Sequence, residues 1–216
     1  MELEFKGFNS IGRLSRPMVI TEKIDGTNAQ LYIAPGNPFE PNVLYSWETP
    51  TAMMCMYAGS RSRWITPEAD NHGFARWAYE HATELQQLGE GRHFGEWWGC
   101  GIQRKYGLKE KRWSLFNVHR WCLNGQQPQL INPDNKDPNV APQYQGVLPA
   151  CVGLVPVLYT GTFDTTVITA VMADLHKHGS FAAPGFMDPE GVVIFHSAKG
   201  VLFKKTFEKD AEGKNG

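Results

Sequence analysis

The stretch that most constrains the fold covers residues 21–33, where a cluster of charged residues leads directly into a strand-like segment. Residues 30–33, Gln-Leu-Tyr-Ile, alternate in polarity and carry β-formers, so they predict a strand. The Asp25-Gly26 pair just before them is typical of a turn. Lys23 is therefore expected at the mouth of a strand, on a bend, with the carboxylates of Glu22 and Asp25 beside it.

A lysine in such a place is a candidate nucleophile only if its amine loses its proton. The reference pKa of a lysine is about 10.4, so fewer than roughly one amine in a thousand is uncharged at neutral pH. Desolvation or a neighbouring cation must lower that pKa before covalent chemistry is possible. Carboxylates act in the opposite direction, so Glu22 and Asp25 would serve to orient Lys23 or to hold a substrate group or a metal. The alternative is a surface hairpin with solvated charges.

The sequence Lys-Ile-Asp-Gly at residues 23–26 is similar to the Lys-x-Asp-Gly signature of the covalent nucleotidyltransferases, which include ATP-dependent DNA and RNA ligases and mRNA capping enzymes. The longer Glu-Lys-Ile-Asp-Gly-Thr-Asn most resembles the phage-type RNA ligase 2 branch, where Glu-Lys-Ile-His-Gly-Thr-Asn is typical. The resemblance implies that Lys23 attacks the α-phosphate of ATP and becomes lysyl-AMP. It also assigns Asp25 to the catalytic set, and Glu22 and Asn28 to nucleotide binding.

Residues 59–65, Gly-Ser-Arg-Ser-Arg-Trp-Ile, contain two arginines two positions apart. On an extended segment the two side chains would point the same way, and such a pair suits bidentate recognition of phosphate or ribose. The resemblance implies that an arginine here contacts the nucleotide sugar and the RNA terminus. Arg61 is the first choice and Arg63 the second, and the alternative is an exposed basic strand end.

Residues 94–96, Phe-Gly-Glu, are similar to the third motif of the family, which implies that Glu96 contacts the ribose. Glycines near a single carboxylate allow close approach of backbone to a ligand. Residues 113–118 predict a strand, and in the family an aromatic in this strand stacks on adenine about 20 residues after the glutamate. Phe116 occupies that position. Composition alone would place Phe116 in the core, which does not exclude stacking on a purine.

Residues 188–195, Asp-Pro-Glu-Gly-Val-Val-Ile-Phe, predict a turn, a carboxylate and a short apolar strand. They are similar to the fourth motif of the family, which implies that Glu190 helps to hold a divalent metal. Magnesium prefers one or two carboxylates together with substrate phosphates, which suits this arrangement.

Residues 201–207 resemble the fifth motif, usually Lys-x-Lys in a strand, but here the two lysines are adjacent. On a regular strand Lys204 and Lys205 face opposite ways, so only one of them can take the first family position. We favour Lys204, which leaves Thr206 in the place of the second lysine. The second phosphate contact then falls to Lys205 across a bulge, or is missing.

Between these motifs, the spacing of apolar residues predicts elements that support the site without contributing residues to it. Apolar residues at helical spacing over positions 74–88 predict one continuous helix, with Asp70 or Asn71 capping its start and Gly89 following its end. His81 lies on the apolar stripe and is expected to pack in the core.

Three further segments complete the pattern along the chain. Residues 152–158 predict a buried strand, and residues 163–178 predict a helix. Residues 124–150, rich in Asn, Gln, Pro and Asp, predict a surface insertion.

Composition limits the class of protein. With 216 residues, 42% hydrophobic and 20% charged, the chain suits one globular domain. The net charge of −1 means that any nucleic-acid surface is a local patch. The four cysteines, at positions 55, 100, 122 and 151, fit neither a zinc site nor a compact disulfide framework. No apolar run approaches 18 residues and no signal peptide is evident, so we expect a cytoplasmic protein without a membrane span.

Six motifs in order therefore predict an α+β nucleotidyltransferase domain of the ATP-grasp-like ligase type over residues 1–207. Two mainly antiparallel sheets flanked by helices would enclose an ATP cleft. Residues 208–216 are expected to be a flexible polar tail, with no C-terminal OB or helical domain. A separate protein is a candidate partner that would replace that domain. Only 22 residues precede Lys23, which favours ATP over NAD as the nucleotide source.

The expected function is ATP-dependent joining of RNA ends, nicked or single-stranded, with Mg²⁺ or Mn²⁺. RNA rather than DNA rests on the resemblance of residues 22–28 alone. The alternatives are a DNA ligase or a capping-type guanylyltransferase on the same scaffold, and a module that binds nucleic-acid ends without sealing them.

Overall fold

The chain folds around two separate β-sheets in a computed structural model that describes residues 4–8, 10–118, 120–121 and 148–208. Within these residues the strands are β1 (Pro17–Lys23), β2 (Thr27–Pro35), β3 (Tyr45–Glu48), β4 (Met53–Gly59), β5 (Trp64–Ile65), β6 (Gly91–Gly99), β7 (Lys111–Leu115), β8 (Val152–Leu154), β9 (Val157–Thr162), β10 (Gly191–His196) and β11 (Val201–Thr206). The helices are α1 (Phe74–Glu80), α2 (Ala82–Leu85), which a 3-10 turn (Gln86–Leu88) extends, and α3 (Thr165–His178).

The small sheet has the order β11-β10-β1-β9, and all its pairs are antiparallel. The large sheet has the order β3-β4-β2-β6-β7-β8, with β5 added beside β4. Its pairs are antiparallel except for β7 and β8, which run parallel. The expected α+β class with two mainly antiparallel sheets is confirmed.

The small sheet packs one face against α3. Alternate residues of β1, Met18 and Ile20, are fully buried with Leu175 of the helix. Asp164 caps the helix, since its carboxylate accepts from the backbone N–H of Thr166 at 2.7 Å. The helix ends before Gly179, so the predicted helix over residues 163–178 is confirmed within two residues.

The large sheet packs one face against α1 and α2. Alternation along β2 sends Ala29, Leu31 and Ile33 into this core. We define the opposite face as the open face of the large sheet; paired positions of β2 and β6 place on it, in register, Asn28 with Glu96, Gln30 with Phe94, and Tyr32 with Arg92.

The helix predicted over positions 74–88 is interrupted at His81, so the prediction of one continuous helix was wrong. His81 has φ −103° and ψ 14°, outside the helical region. Its ring Nδ1 lies 2.8 Å from the Trp77 carbonyl oxygen and its ring stacks on Trp77. The histidine is half-buried and not packed in the core. Asp70 does cap the start, because its carboxylate accepts from two backbone N–H groups of the first turn, and Gly89 does end the segment.

The predicted strand over residues 152–158 is two strands, because the chain leaves the large sheet after Leu154 and enters the small sheet at Val157. Residues 24–26 make the same kind of crossing, from β1 to β2. Because β1 and β2 lie in different sheets, the alternative of a surface hairpin at Lys23 is excluded. Most of the predicted insertion over residues 124–150 lies outside the described residues.

The two sheets meet through a cluster that we call the sheet junction. It buries Val19 of the small sheet against Trp98 of the large sheet, with Ile24, Tyr106 and Val155 between them. The first crossing segment therefore runs along this junction. Residues that flank it come from both sheets.

Candidate active site

Lys23 is the last residue of β1, and its amine forms an ion pair at the edge of the junction. Its Nζ donates to Glu190 Oε2 at 2.6 Å, with side chains that are 24% and 18% exposed. The pair forms because Lys23 lies opposite Gly191 in the sheet, directly after Glu190. Two residues 167 positions apart, predicted as nucleophile and metal ligand, are thus brought into contact.

The turn after Lys23 requires glycine at position 26. A Cβ there would lie 2.5 Å from the Trp97 carbonyl oxygen and 2.8 Å from Trp98 Cβ, so a side chain has no room. The Gly26 N–H donates to Glu96 Oε1 at 3.0 Å, and the Asn28 side chain lies 3.5 Å from Glu96 Oε2. The glycine therefore lets the turn reach Glu96, which joins the first and third motifs.

Glu96 is buried, and this burial raises its pKa from 4.5 to about 7. Nearby Lys23 and the Gly26 N–H act in the opposite direction, while Glu190 and Asp25 add to the increase. Near neutral pH both the protonated and the ionised form of this carboxyl are therefore populated. A carboxyl of this kind can accept from or donate to a ligand hydroxyl.

Asp25 does not contact Lys23. Its carboxylate lies 3.2 Å from Arg104 Nε, and its backbone N–H donates to the Tyr106 hydroxyl at 2.7 Å. Neither Arg104 nor Tyr106 is signalled by the sequence, because both lie in an irregular segment without periodicity or a recognised motif. The only local signal is the pair of glycines, Gly101 and Gly107, that bounds the segment.

Glu22 faces the opposite side of β1 from Lys23 because side chains alternate along a strand. It is buried and accepts from Ser180 Oγ at 2.6 Å and from the N–H groups of Phe181 and Ala182 at 2.8 and 2.9 Å. Burial raises its pKa, which these hydrogen bonds partly offset. Its contacts anchor the segment that follows α3, and its expected nucleotide contact stays a prediction.

The pairing of β11 with β10 assigns the two lysines to opposite faces of the small sheet, as expected. Lys204 lies opposite Val193 and so shares the face of Thr21 and Lys23. Lys205 lies opposite Val192, on the α3 side. Lys204 is exposed, whereas Lys205 is half-buried.

Arg61 and Arg63 lie in a bend between β4 and β5, so the expected extended segment was wrong. The Ser60 N–H donates to the Arg63 carbonyl at 2.9 Å and closes a turn, because β5 folds back on β4. The Arg63 guanidinium donates to the Ala69 carbonyl at 2.9 Å and so holds the following loop. Arg61 is exposed, and its nucleotide contact stays a prediction.

Phe116 follows β7 and is 42% exposed, so it is not a core residue. Its N–H donates to the carbonyl of Phe94, whose own ring is 50% exposed on the open face of the large sheet. Further along this face, the Arg92 guanidinium lies over the Tyr32 ring at 4.1 Å and over the Trp64 ring at 5.6 Å. Exposed and half-buried aromatic side chains, together with the exposed Arg92, thus lie along this face away from Glu96.

Among the described residues, no three or more His, Cys, Asp or Glu side chains form a group that could hold a metal ion. Magnesium does not need such a cage, because one carboxylate with substrate phosphates and waters is a common arrangement. The partly exposed Glu190 carboxylate fits a metal of this shared kind.

The fold and the site define a two-sheet α+β protein with a lysine–carboxylate centre between the sheets. The RNA ligase family model matches residues 16–206, from the residue before β1 to the end of β11. The chain therefore belongs to the RNA ligase family. Comparison with individually curated proteins gave no match. No helix in the described part of the chain is long and apolar enough to cross a membrane.

Proposed function

We propose that the protein is an ATP-dependent RNA ligase that works through a covalent lysyl-AMP. Lys23 Nζ attacks the α-phosphorus of ATP; a P–N bond forms, the bond to pyrophosphate breaks and the amine loses a proton. An oxygen of an RNA 5′-phosphate then displaces the lysine and takes the AMP. Finally an RNA 3′-OH attacks that 5′-phosphate, a phosphodiester forms and AMP leaves. The observation that carries the proposal is the convergence of Lys23, Glu190 and Glu96 in a chain of this family.

The ion pair of Lys23 with Glu190 is the resting state of this site. A protonated amine has no lone pair, so the pair must separate and the proton must leave before attack. Glu190 is the residue that would hold Mg²⁺ or Mn²⁺, and a bound metal supplies positive charge to the phosphates. Lys204, on the same face as Lys23, adds a second cation for charge that develops on the phosphate.

The remaining side chains are assigned to nucleotide recognition. Glu96 forms hydrogen bonds with the ribose hydroxyls, and the Asn28 side chain orients the Glu96 carboxyl. Both residues lie on the open face of the large sheet. The exposed Phe116 ring stacks on adenine. Arg61 contacts the nucleotide sugar or the RNA terminus. Glu22 contributes indirectly, through the segment that it anchors behind β1.

Incubation with α-labelled ATP and magnesium, followed by denaturing electrophoresis, tests the proposal. The wild-type chain should carry a label that survives denaturation, and Lys23→Ala should lose it while still folding, as its cooperative thermal melting will show, because the change removes one partly exposed ion pair. Lys6→Ala, a lysine in the exposed N-terminal segment, is the control and should label normally. A denaturation-stable AMP adduct on Lys23→Ala would contradict the assignment of Lys23 as the nucleophile.

The same assay separates the alternatives. A capping-type enzyme would label with α-labelled GTP in preference to ATP. A DNA ligase would label with ATP and seal nicked DNA in preference to RNA. A module that only binds nucleic-acid ends would give no covalent label with either nucleotide.

A further inference from the structure

Arg104 contacts three segments that are far apart in the sequence. Its Nε lies 3.2 Å from Asp25 Oδ2, and its Nη1 lies 2.5 Å from Asp188 Oδ2 and 3.2 Å from the Asp188 carbonyl oxygen. Its Nη2 pairs with Glu208. The Arg104 side chain is only 12% exposed; its two Nη atoms donate to Asp188 and Glu208, while the buried Nε lies within ion-pair distance of Asp25 without forming a hydrogen bond to it.

The backbone that presents Arg104 is itself unusual. Gln103, Lys105 and Tyr106 have φ values of 42°, 60° and 50°, and none of them is glycine. Positive φ is uncommon for such residues and persists only where the surroundings enforce it. Tyr106 is buried in the sheet junction between the rings of Trp98 and Phe186, and its hydroxyl accepts from the Asp25 N–H. The strained segment therefore holds both the backbone and the carboxylate of Asp25.

Each of the three residues that Arg104 contacts is close in sequence to a residue of the proposed mechanism. Asp25 is two residues after Lys23, Asp188 is two before Glu190, and Glu208 follows the strand that carries Lys204. The last two segments are also joined directly, since the Phe207 N–H donates to the Glu190 carbonyl at 3.1 Å. One guanidinium thus connects the ends of the segments that carry the nucleophile, the metal ligand and the phosphate-facing lysine.

We infer that Arg104 is a positioning residue for AMP attachment, which acts through Asp25 and Asp188 to hold Lys23 and Glu190 in alignment. The inference rests on the proposed function. Without the guanidinium, Asp25, Asp188 and Glu208 would lose the one cation that they share. Asp188 and Glu208 are largely exposed, so their repulsion is screened, and the segments would separate because the contacts that join them are lost. Because Arg104 occupies the Asp25 carboxylate, Lys23 is left to pair with Glu190.

The test compares Arg104→Gln and Arg104→Lys with a matched control, Arg112→Gln. Arg112 pairs with Glu110 at 2.6 Å and is 45% exposed, and its ion pair does not involve Asp25, Asp188 or Glu208. For each variant, single-turnover AMP attachment is measured over a range of ATP concentrations, and melting temperature is recorded. We expect Arg104→Gln to lower the rate at saturating ATP about 10- to 100-fold, with little change in half-saturating ATP, because alignment and not binding is lost.

Arg104→Lys should recover only part of the rate, since a single ammonium cannot bridge three carboxylates as a planar fork does. Arg112→Gln should match the wild type. A purely structural arginine would instead lower melting temperature and leave the saturating rate of the folded fraction unchanged, which would overturn the inference. Full activity in Arg104→Lys would also overturn it.

A double-mutant cycle with Asp25→Asn tests the route through Asp25. If Arg104 acts through this carboxylate, the double variant should be no slower than the slower single variant. Independent, multiplying losses would contradict the inference. If Arg104→Gln does not fold, Tyr106→Phe removes the other contact to the turn and should lower the saturating rate alone. An absence of label in the wild type would overturn the proposed function and this inference together, whereas normal labelling of Arg104→Gln overturns only the inference.

Discussion

Glu96 and Glu190 are both carboxylates near Lys23, yet their surroundings give them different properties. Glu190 pairs with the amine, whereas Glu96 is buried against the Gly26 turn and has a raised pKa. The sequence identified both residues because each sits in a short motif beside a glycine. It could not distinguish their protonation, which depends on burial by residues remote in the chain.

The raised pKa of Glu96 makes a prediction about stability. A carboxyl with a folded-state pKa near 7 and an unfolded value near 4.5 binds more protons when folded, so the free energy of unfolding falls as pH rises through this window. The loss should reach at most about 3 kcal/mol by pH 7 or above. Glu96→Gln keeps an acceptor for the Gly26 N–H but does not titrate. Urea unfolding of both proteins between pH 4.5 and 8 should show the wild type losing stability relative to the variant, and parallel curves would contradict the assignment.

Arg104 and Tyr106 are two residues near the site that the sequence alone could not have indicated. Both contact Asp25, which lies 79 and 81 positions away in the chain, and local composition does not signal the positive φ angles of Tyr106 and of the two neighbours of Arg104. Periodicity and short motifs report only on neighbours in sequence. A site assembled across such separations is therefore predicted only where a motif happens to mark each part.

Among the elements, three strands lie where the sequence indicated them. Alternation indicated β2, a short apolar run after a turn indicated β10, and the resemblance to the fifth motif indicated β11. The face of Lys204 follows from the period of two along β11. The failures came where tertiary contacts override a local pattern. The apolar stripe over positions 74–88 could not show that the backbone of His81 leaves the helical region, where its ring Nδ1 lies 2.8 Å from the Trp77 carbonyl oxygen.

The register of β11 predicts unequal roles for its two lysines. Lys204 faces the side of Lys23, so Lys204→Ala should lower the rate of AMP attachment on the order of 10² to 10³, the usual effect of removing one preorganised donor. Lys205 faces α3, and Lys205→Ala should stay within about threefold of the wild type, since it gives no such charge to the phosphates. Single-turnover labelling of both variants measures this directly. If Lys205→Ala lowers the rate of AMP attachment more than Lys204→Ala does, the register of β11 is shifted by one residue.

We predict that single-stranded RNA binds along the open face of the large sheet. Bases of a single strand stack on aromatic rings and on guanidinium planes, at about 1–3 kcal/mol per base. Arg92 over Tyr32 and Trp64 offers such a surface on the same face as Glu96, four strand positions away. Arg92→Gln and Trp64→Ala should therefore weaken binding of labelled single-stranded RNA at least fivefold, as measured by anisotropy.

Phe39→Ala is the matched control, because Phe39 is exposed in the loop between β2 and β3. It should leave RNA affinity unchanged. None of the three variants should alter AMP attachment, which does not involve RNA. Unchanged RNA affinity in both Arg92→Gln and Trp64→Ala would contradict this placement.

The proposed ATP contacts are divided between the two sheets. Lys23, Glu190 and Lys204 come from the small sheet and its approach, whereas Glu96 and Asn28 lie on the large sheet. The sheets also touch through the apolar sheet junction. The sequence predicted two sheets around a nucleotide site, but not that residues 24–26 cross between them, because a turn motif does not reveal which sheet its second strand joins.

This division predicts how ATP affects stability. A ligand that binds only the folded chain stabilises it by RT ln(1 + [L]/Kd), about 2.7 kcal/mol at 100 times Kd. A non-hydrolysable ATP analogue with magnesium should therefore raise the melting temperature of the wild type in proportion to the logarithm of its concentration. Glu96→Ala and Lys204→Ala, one from each sheet, should both reduce this shift at a fixed analogue concentration, because each weakens binding from its own side. The control Arg112→Gln should keep the full shift. If only one of the two variants reduces it, the nucleotide binds to a single sheet and the division of contacts proposed here is wrong.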